Sequence, residues 1–251
     1  MEEIYSIREI SEFLKISKST LRYWESEGLF ASSRNRENNY REFSFDLLLD
    51  IGDIAFYRGL GVPVQNLKEA RKMTLENIDS TLSTAMAETE ETITRLQEKK
   101  KSIELRLWQL AEVRRLQDSP YAEGRPDFGR AIAVDYTNRD HWRQYLSTPE
   151  KIVLYAEADD PRGYRNGLLL GEADEAAGTL LWKESAGDAA RYFECLVKIN
   201  CDRREGGNIR QHIETLSEKG CKPRRIVARY LANTFDGEPW ENYRAWIEVE
   251  P

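Results

Sequence analysis

Histidine and cysteine are scarce in this 251-residue sequence, with two of the first and three of the second. His141 and His212 stand in no recognisable triad. Cys195, Cys201 and Cys221 are odd in number and lack a CxxC spacing, which argues against a disulfide framework or a zinc site. The sequence therefore calls for no metal and no cofactor. No apolar run approaches the length of a membrane span. The start, MEEIYSIREI, is acidic and lacks a basic region followed by an apolar stretch, so no secretory signal is expected. The simplest home is a reducing, cytoplasmic one, with no membrane partner. Positive charge is also in the minority, since the formal net charge is -7.

That deficit is an average, whereas binding to phosphates depends on the local surface. Between positions 15 and 41 the basic residues Lys15, Lys18, Arg22, Arg34, Arg36 and Arg41 outnumber Glu25, Glu27 and Glu37. This stretch lies in the first of three segments, which runs over 1–72 and reads as several short helices. Ser6 and Glu9 have the spacing of a capping box, and Ile7, Ile10, Phe13 and Leu14 follow with helical spacing. Ser17 is placed to cap a second helix that Gly28 ends. The three or four residues between the two helices suit a helix-turn-helix. The polar run ASSRNRENNYREFS suits a loop or small hairpin. A further helix is expected from Ser44, with Leu47, Leu48, Ile51, Ile54 and Ala55 inward, broken at GLGVP and followed by a short helix through Leu67 and Ala70.

The second segment, 73–118, has no glycine or proline over 73–116. Heptad positions Leu75, Asp79, Leu82, Met86, Thr89, Ile93, Leu96, Lys100, Ile103, Leu107 and Leu110 alternate four and three apart, and eight of the eleven are apolar. That pattern predicts a long helix with a partner seam, and dimerisation through Leu82, Met86, Ile93, Leu96, Ile103, Leu107 and Leu110. Packing on its own domain is the competing reading. SPYAEGRP reads as a hinge. The third segment, 121–251, shifts to strand periodicity at 152–157, 179–182, 191–199, 225–231 and 246–249, with helices near 138–146 and 209–216. The expected fold is α/β multidomain: a winged helix-turn-helix, a long dimerisation helix, and an α+β domain over an antiparallel sheet.

A helix-turn-helix reads DNA with the N-terminal end of its second helix, which here offers Lys18, Ser19, Thr20 and Arg22. Arg22 has the fork geometry for phosphate or guanine, and Tyr23 offers a hydroxyl to the backbone, while Trp24 is expected to pack inward. Equally, Tyr23 and Trp24 could both be core, with Arg22 paired to Glu25 or Glu27.

The order of Y-S-I-x-E-I, T-L-R-Y-W-E-x-x-G-L-F, N-Y-R-E-F-S, the Leu-Gly-x-Pro break and a long helix resembles the MerR family of bacterial transcription regulators over about 4–110. The resemblance implies a dimer on double-stranded promoter DNA, at a palindromic site that effector binding distorts so that RNA polymerase can use it. It implies that Tyr40 and Arg41 tip a β-wing against phosphates and that Arg58 touches backbone from a second wing. Trp24 departs from the family's usual tyrosine. Metal-sensing members place cysteines along the dimer helix, and none occurs before position 195.

The third segment resembles the GyrI-like effector domain of the family's drug sensors, mainly in IVARYL and YRAWIEV. The resemblance implies a small organic, cationic effector in an aromatic cage, with Tyr136, Tyr155 and Tyr243 in cage positions. The expected acidic anchor is missing, because Ala228 stands near its place. Alternation offers substitutes, since Tyr155 and Glu157, Tyr192 and Glu194, and Trp246 and Glu248 each share a strand face. The candidate effector residues are thus Tyr136, Tyr155, Glu157, Trp182, Tyr192, Glu194, Tyr243 and Trp246. An ordinary solvated sheet face accounts for the same alternation. Two other functions stay open. One is a GyrI-like hydrolase with Glu157 or Glu194 as general base, its pKa raised by burial. The other is a DNA-binding protein without a ligand.

Overall fold

The computed structural model describes residues 3–68, 73–169, 178–184, 190–203 and 207–250. It divides into two compact units, 1–99 and 100–251. The long helix contributes residues to both.

In the first unit, Ser6 accepts from the Glu9 amide while the Glu9 carboxylate takes the Ser6 amide at 2.7 Å, which starts helix α1 (Ile7–Leu14). Lys15 turns the chain in a left-handed conformation, and Ser17 caps α2 (Lys18–Ser26) through the Thr20 amide at 3.0 Å. Gly28, at φ +79, carries the chain out of α2. Strands β1 (Ile4–Tyr5), β2 (Ser33–Arg34) and β3 (Arg41–Ser44) form an antiparallel sheet in the order β1-β3-β2, so the polar run is a two-stranded wing. Ser44 caps α3 (Phe45–Gly59), and a single 3-10 turn, Val64–Leu67, follows the Gly-Pro break where a short helix was expected. Ala70, its expected end, lies outside the described residues.

Ile10, Leu21, Trp24, Phe43, Ile51 and Ile54 close the core, each contributing roughly 1.5–3 kcal/mol by burial. Phe13 does not join them. Its helical angle puts it beside the Ile7–Ile10–Leu14 stripe, where it stays exposed against the Tyr5 ring. Helix α4 (Leu75–Asp118) begins at Thr74, whose hydroxyl accepts from the Asn77 amide, and Ala85 packs into this core.

The second unit is a seven-stranded sheet in the order β7-β4-β6-β5-β9-β10-β8. Its strands are β4 (Arg130–Ala133), β5 (Ile152–Glu157), β6 (Arg165–Leu169), β7 (Leu180–Lys183), β8 (Arg191–Asn200), β9 (Pro223–Asp236) and β10 (Glu238–Val249). Helices α5 (Arg139–Ser147) and α6 (Ile209–Glu218) complete it. Strands β4 and β6, and the first two-thirds of β10, were not expected from the sequence. One sheet face packs Leu154, Val197, Ala228 and Tyr243 with Ile209 and Leu216 of α6. The other gathers Tyr155, Trp182, Tyr192, Val227 and Trp246 under Phe128.

A bulge in β9 leaves Leu231 without an opposite number between the pairs Tyr243–Tyr230 and Asn242–Ala232. Its side chain packs with Val113 and Leu116 of α4, and its carbonyl accepts from Arg106 at 2.8 Å. The segment expected to act as a hinge is instead held to the edge of β8: the Tyr121 amide donates to the Glu194 carbonyl at 2.6 Å and the Gly124 amide to Tyr192 at 3.1 Å.

Candidate functional site

The amphipathic cut through α2 separates its adjacent aromatics. Leu21 and Trp24 point into the core, whereas Lys18, Ser19, Arg22 and Tyr23 are exposed and Thr20 half-buried. The alternative in which both aromatics are core does not hold, because Tyr23 is about half exposed while Trp24 is buried. Nor does Arg22 pair with the glutamates of its own helix. Glu25 receives Arg41 Nε at 2.6 Å and the Ser32 hydroxyl, and Glu27 faces Lys68 at 3.8 Å. Burial disfavours the charge on Glu25, but Ser32 and Arg41 overcome this and hold its pKa low. Among the described residues neither Lys18 nor Arg22 forms an ion pair.

The same pairing moves Arg41 away from its expected place. It does not sit at the wing tip: it opens β3 and turns back onto α2, with about a quarter of its side chain exposed. The tip belongs to 35–40. There Asn35 Oδ1 accepts from the amides of Glu37 and Asn38, Asn39 adopts φ +59, and Tyr40 is exposed. Arg34 donates to the Asn39 carbonyl at 3.2 Å and stays exposed, as does Arg36. Arg36 lies within the tip, where Arg41 was expected, and Arg34 ends β2 opposite Arg41. Their place in a polar, Asn-rich run was the signal for it. Arg58 donates to the Val62 carbonyl at 2.5 Å, bracing the turn after α3. Together with Lys15, Ser17, Thr20 and Tyr23 it lines a hollow of about 520 Å³. The structure thus brings Thr20, Tyr23 and Arg58 together around one hollow.

On α4 the expected seam is largely uncovered. Met86, Ile93 and Leu96 in the first unit and Ile103 and Leu107 in the second are each about half exposed or more, while Leu82 and Leu110 are half-buried. The buried positions are others: Ala85, Gln109, Val113 and Leu116. Packing on its own domain therefore uses a different stripe of α4 from the heptad positions.

The effector candidates of the second unit do not form one group. Cross-strand register puts Tyr155 opposite Val227 and Val227 opposite Trp246, with Tyr192 facing Glu248, all on the Phe128 side. Tyr243 lies three residues from Trp246, hence on the opposite face, beside Tyr230 at 5.7 Å between ring centres. Tyr136 is exposed beyond β4 and meets Trp142. The proposed cage of Tyr136, Tyr155 and Tyr243 is therefore not assembled. Around Tyr243 stand tyrosines not singled out in the sequence, Tyr145, Tyr164 and Tyr230, and burial raises the pKa of Tyr243 well above the ordinary phenol value. Tyr155 is raised to about 12 by burial and by its bond to Glu157, which is itself exposed.

The two buried carboxylates already have cationic partners. Glu194 takes Arg244 at 2.7 Å and Arg115 at 2.6 Å, with the Trp246 indole N–H at 3.3 Å. Burial works against its charge, yet the two guanidiniums win and its pKa is lowered. This overturns the expectation of a general base raised by burial. Glu248 takes Arg225 at 2.5 Å and the Tyr192 hydroxyl at 3.3 Å. By contrast Glu241, half-buried on β10, accepts from the Tyr243 hydroxyl at 2.8 Å and forms no ion pair among the described residues.

The histidines are structural. His141 Nδ1 accepts from the Asp135 amide at 3.0 Å. His212 faces the Leu196 carbonyl through Nε2 at 2.9 Å, which makes that nitrogen the donor, and Nδ1 accepts from the Tyr121 hydroxyl at 2.8 Å. Burial lowers its pKa. Burial pushes the Cys195 thiol far up. Among the described residues no group of three or more His, Cys, Asp or Glu could hold a metal ion, and no helix is long and apolar enough to cross a membrane.

Residues 6–43 match the family described as MerR family regulatory protein. The "Multidrug-efflux transporter 2 regulator" of Bacillus subtilis (strain 168) is 28% identical over 68 residues, 27% of this chain and 25% of that protein. The "Type II methyltransferase M.Eco47II" of Escherichia coli is 38% identical over 56 residues, 22% of this chain and 13% of that protein. The chain thus spans a quarter or less of the length of these curated relatives. Among solved structures, HiNmlR, a MerR family regulator lacking the sensor domain, bound to promoter DNA, is 22% identical with a TM-score of 0.33, covering 46% of this chain and 90% of that one. EcmrR in its DNA complex is 16% identical with a TM-score of 0.38, covering 98% and 100%. The helix-turn-helix and wing at the start of this chain are a MerR family domain.

Proposed function

We propose that the chain is a DNA-binding transcription regulator that grips a palindromic promoter site as a dimer and answers to a small organic effector. The observation that carries this reading is the exposed, unpaired pair Lys18 and Arg22 on a capped recognition helix, in a chain whose buried carboxylates take cationic partners. An arginine with no internal partner keeps all five N–H donors for phosphate or a guanine edge. Lys18, Ser19, Thr20, Arg22 and Tyr23 contact DNA from α2, and Tyr40, Arg34 and Arg36 from the wing. Arg58 braces the rim and Arg41 positions α2 through Glu25. Dimerisation runs along Leu82, Met86, Ile93, Leu96, Ile103, Leu107 and Leu110. Support comes from their exposure, and among the described residues no other helix exceeds the fifteen residues of α3, so a second copy of α4 is the fitting cover.

The effector is held in the second unit, and its distortion of the DNA brings RNA polymerase into play indirectly. Of the carboxylates available for a cationic effector, Glu241 beside Tyr243 is favoured, because Glu194 and Glu248 are held by arginine and Glu157 is exposed. An aromatic ring next to a carboxylate that lacks a guanidinium suits an organic cation. The test is to map the DNA fragments that the full chain protects at low ionic strength. Two protected half-sites related by a dyad support the reading, and a lone subunit that retains no promoter fragment overturns it.

A further inference from the structure

Between α6 and the β8–β10 edge of the sheet, the second unit holds a cavity of about 530 Å³, within the size range of small-molecule sites. Four cationic side chains line it, Arg162, Lys198, Arg203 and Arg210, against one acidic side chain, Glu214. Such a concentration is unusual in a chain of net charge -7. Arg203 is neutralised by Glu238 at 2.6 Å, but among the described residues Arg162, Lys198 and Arg210 form no ion pair. With Glu214 alone to set against them, three cations without an ion pair leave the hollow net positive, and an anion seated among them offsets that charge.

The wall is fixed in place. Asn208 takes the Lys198 amide on Oδ1 at 2.8 Å and donates to the Leu196 carbonyl at 2.9 Å. A side chain at Gly207, at φ +50, would collide with the Lys198 carbonyl. Because the Asn208 side chain is committed to β8, it does not cap α6, and the first turn of that helix lines the cavity with its positive end. Trp240, half-buried, adds a flat aromatic surface.

We propose that this cavity binds a small organic phosphate that carries a flat ring. Arginine forks match phosphate oxygens, a phosphate monoester brings nearly two negative charges to three free cations, and Trp240 stacks the ring. A single carboxylate, with one negative charge, would leave part of that positive charge uncompensated. The site is independent of the DNA-binding reading and of the effector assigned to Glu241.

The test is calorimetric titration of the full chain, without DNA and at low ionic strength, with adenosine monophosphate, adenosine and benzoate. Adenosine monophosphate should bind, adenosine and benzoate should not, and Arg210→Glu should weaken binding by about tenfold or more, the loss of one charge-assisted contact. Arg162→Glu, an exposed position on a different loop, should weaken it similarly, with melting curves checking that both variants stay folded. Glu214→Gln should tighten binding. No binding of adenosine monophosphate, equal binding of adenosine or benzoate, or binding that survives both reversals but is lost in Arg22→Glu would overturn the proposal.

Discussion

The α2–wing region of the first unit and the buried carboxylates of the second treat arginine in opposite ways. In the first, Lys18, Arg22, Arg34 and Arg36 are exposed, and Arg41 is turned inward to Glu25. In the second, Arg115, Arg225 and Arg244 face the buried carboxylates Glu194 and Glu248. The same side chain is thus left toward solvent in one place and serves as internal counter-charge in the other. What separates the cases is whether a carboxylate within reach has a prior claim. Composition cannot make that distinction, since pairs such as Arg22 with Glu25 and Arg41 with Glu25 are equally available to a reader of the sequence.

The largest effect should come from α4, the proposed dimer seam. Ile93→Asp combined with Leu107→Asp places two charges in the exposed apolar stripe and should yield monomers by sedimentation. Losing the second reading head should weaken operator binding by about two to four orders of magnitude, the range by which linked sites exceed single ones. A dimer surviving both changes would show that the stripe is covered in some other way.

Next comes the contrast inside the first unit. Arg22→Ala should weaken DNA binding by about 1–3 kcal/mol and lower the salt slope by about one if it meets a phosphate, with melting unchanged. Arg41→Ala should do the reverse, lowering the melting temperature because Glu25 loses its partner, while the slope stays as it was. Equal slope losses in both variants would erase the distinction drawn here and return Arg41 to the wing tip.

Much of the fold was legible in the sequence. Local signals located the capping box at Ser6, the cap at Ser17, the helix start near Ser44, and strand β5 to the residue, because each is a short-range pattern. Strands β4 and β6 escaped because four or five residues with a glycine or an alanine pair carry too little periodicity, and only their neighbours define them. The exposed face of α2 was legible through burial parity, which put Trp24 inside and Tyr23 outside. The effector residues were less so. Alternation correctly paired Tyr155 with Glu157 and Trp246 with Glu248 on single faces, but with β10 expected only over 246–249 the parity of Tyr243 was not read. Nor could alternation say that Arg225 and Arg244, at distant positions in the chain, would reach the carboxylates first. Those are tertiary facts, fixed by cross-strand register and by α4.

A smaller loss is expected from Glu241→Gln. It removes the carboxylate beside Tyr243 without disturbing an ion pair, so melting should hardly move. The response of promoter binding to a flat organic cation should fall by about tenfold, as for one charge–aromatic contact. A response of full size would move the effector to the Phe128 face.

The finest distinction concerns pH and bears on whether Glu194 is an internal counter-charge at all. Its carboxylate is held below the ordinary 4.5 by Arg244 and Arg115 in spite of burial. A carboxylate whose folded pKa is depressed binds fewer protons when folded than when unfolded, so acid favours unfolding. Its stabilisation is complete above the unfolded value and fades as pH falls through the lower folded one. Melting of the second unit should therefore drop as pH is taken from neutral to below 4.5. Glu194→Gln, which keeps the shape but not the charge, should start about 1.5–3 kcal/mol less stable at neutral pH and lose less on acidification. Parallel acid profiles for the two proteins would mean that the arginines do not depend on this carboxylate, and the contrast between the units would narrow to Glu248 alone.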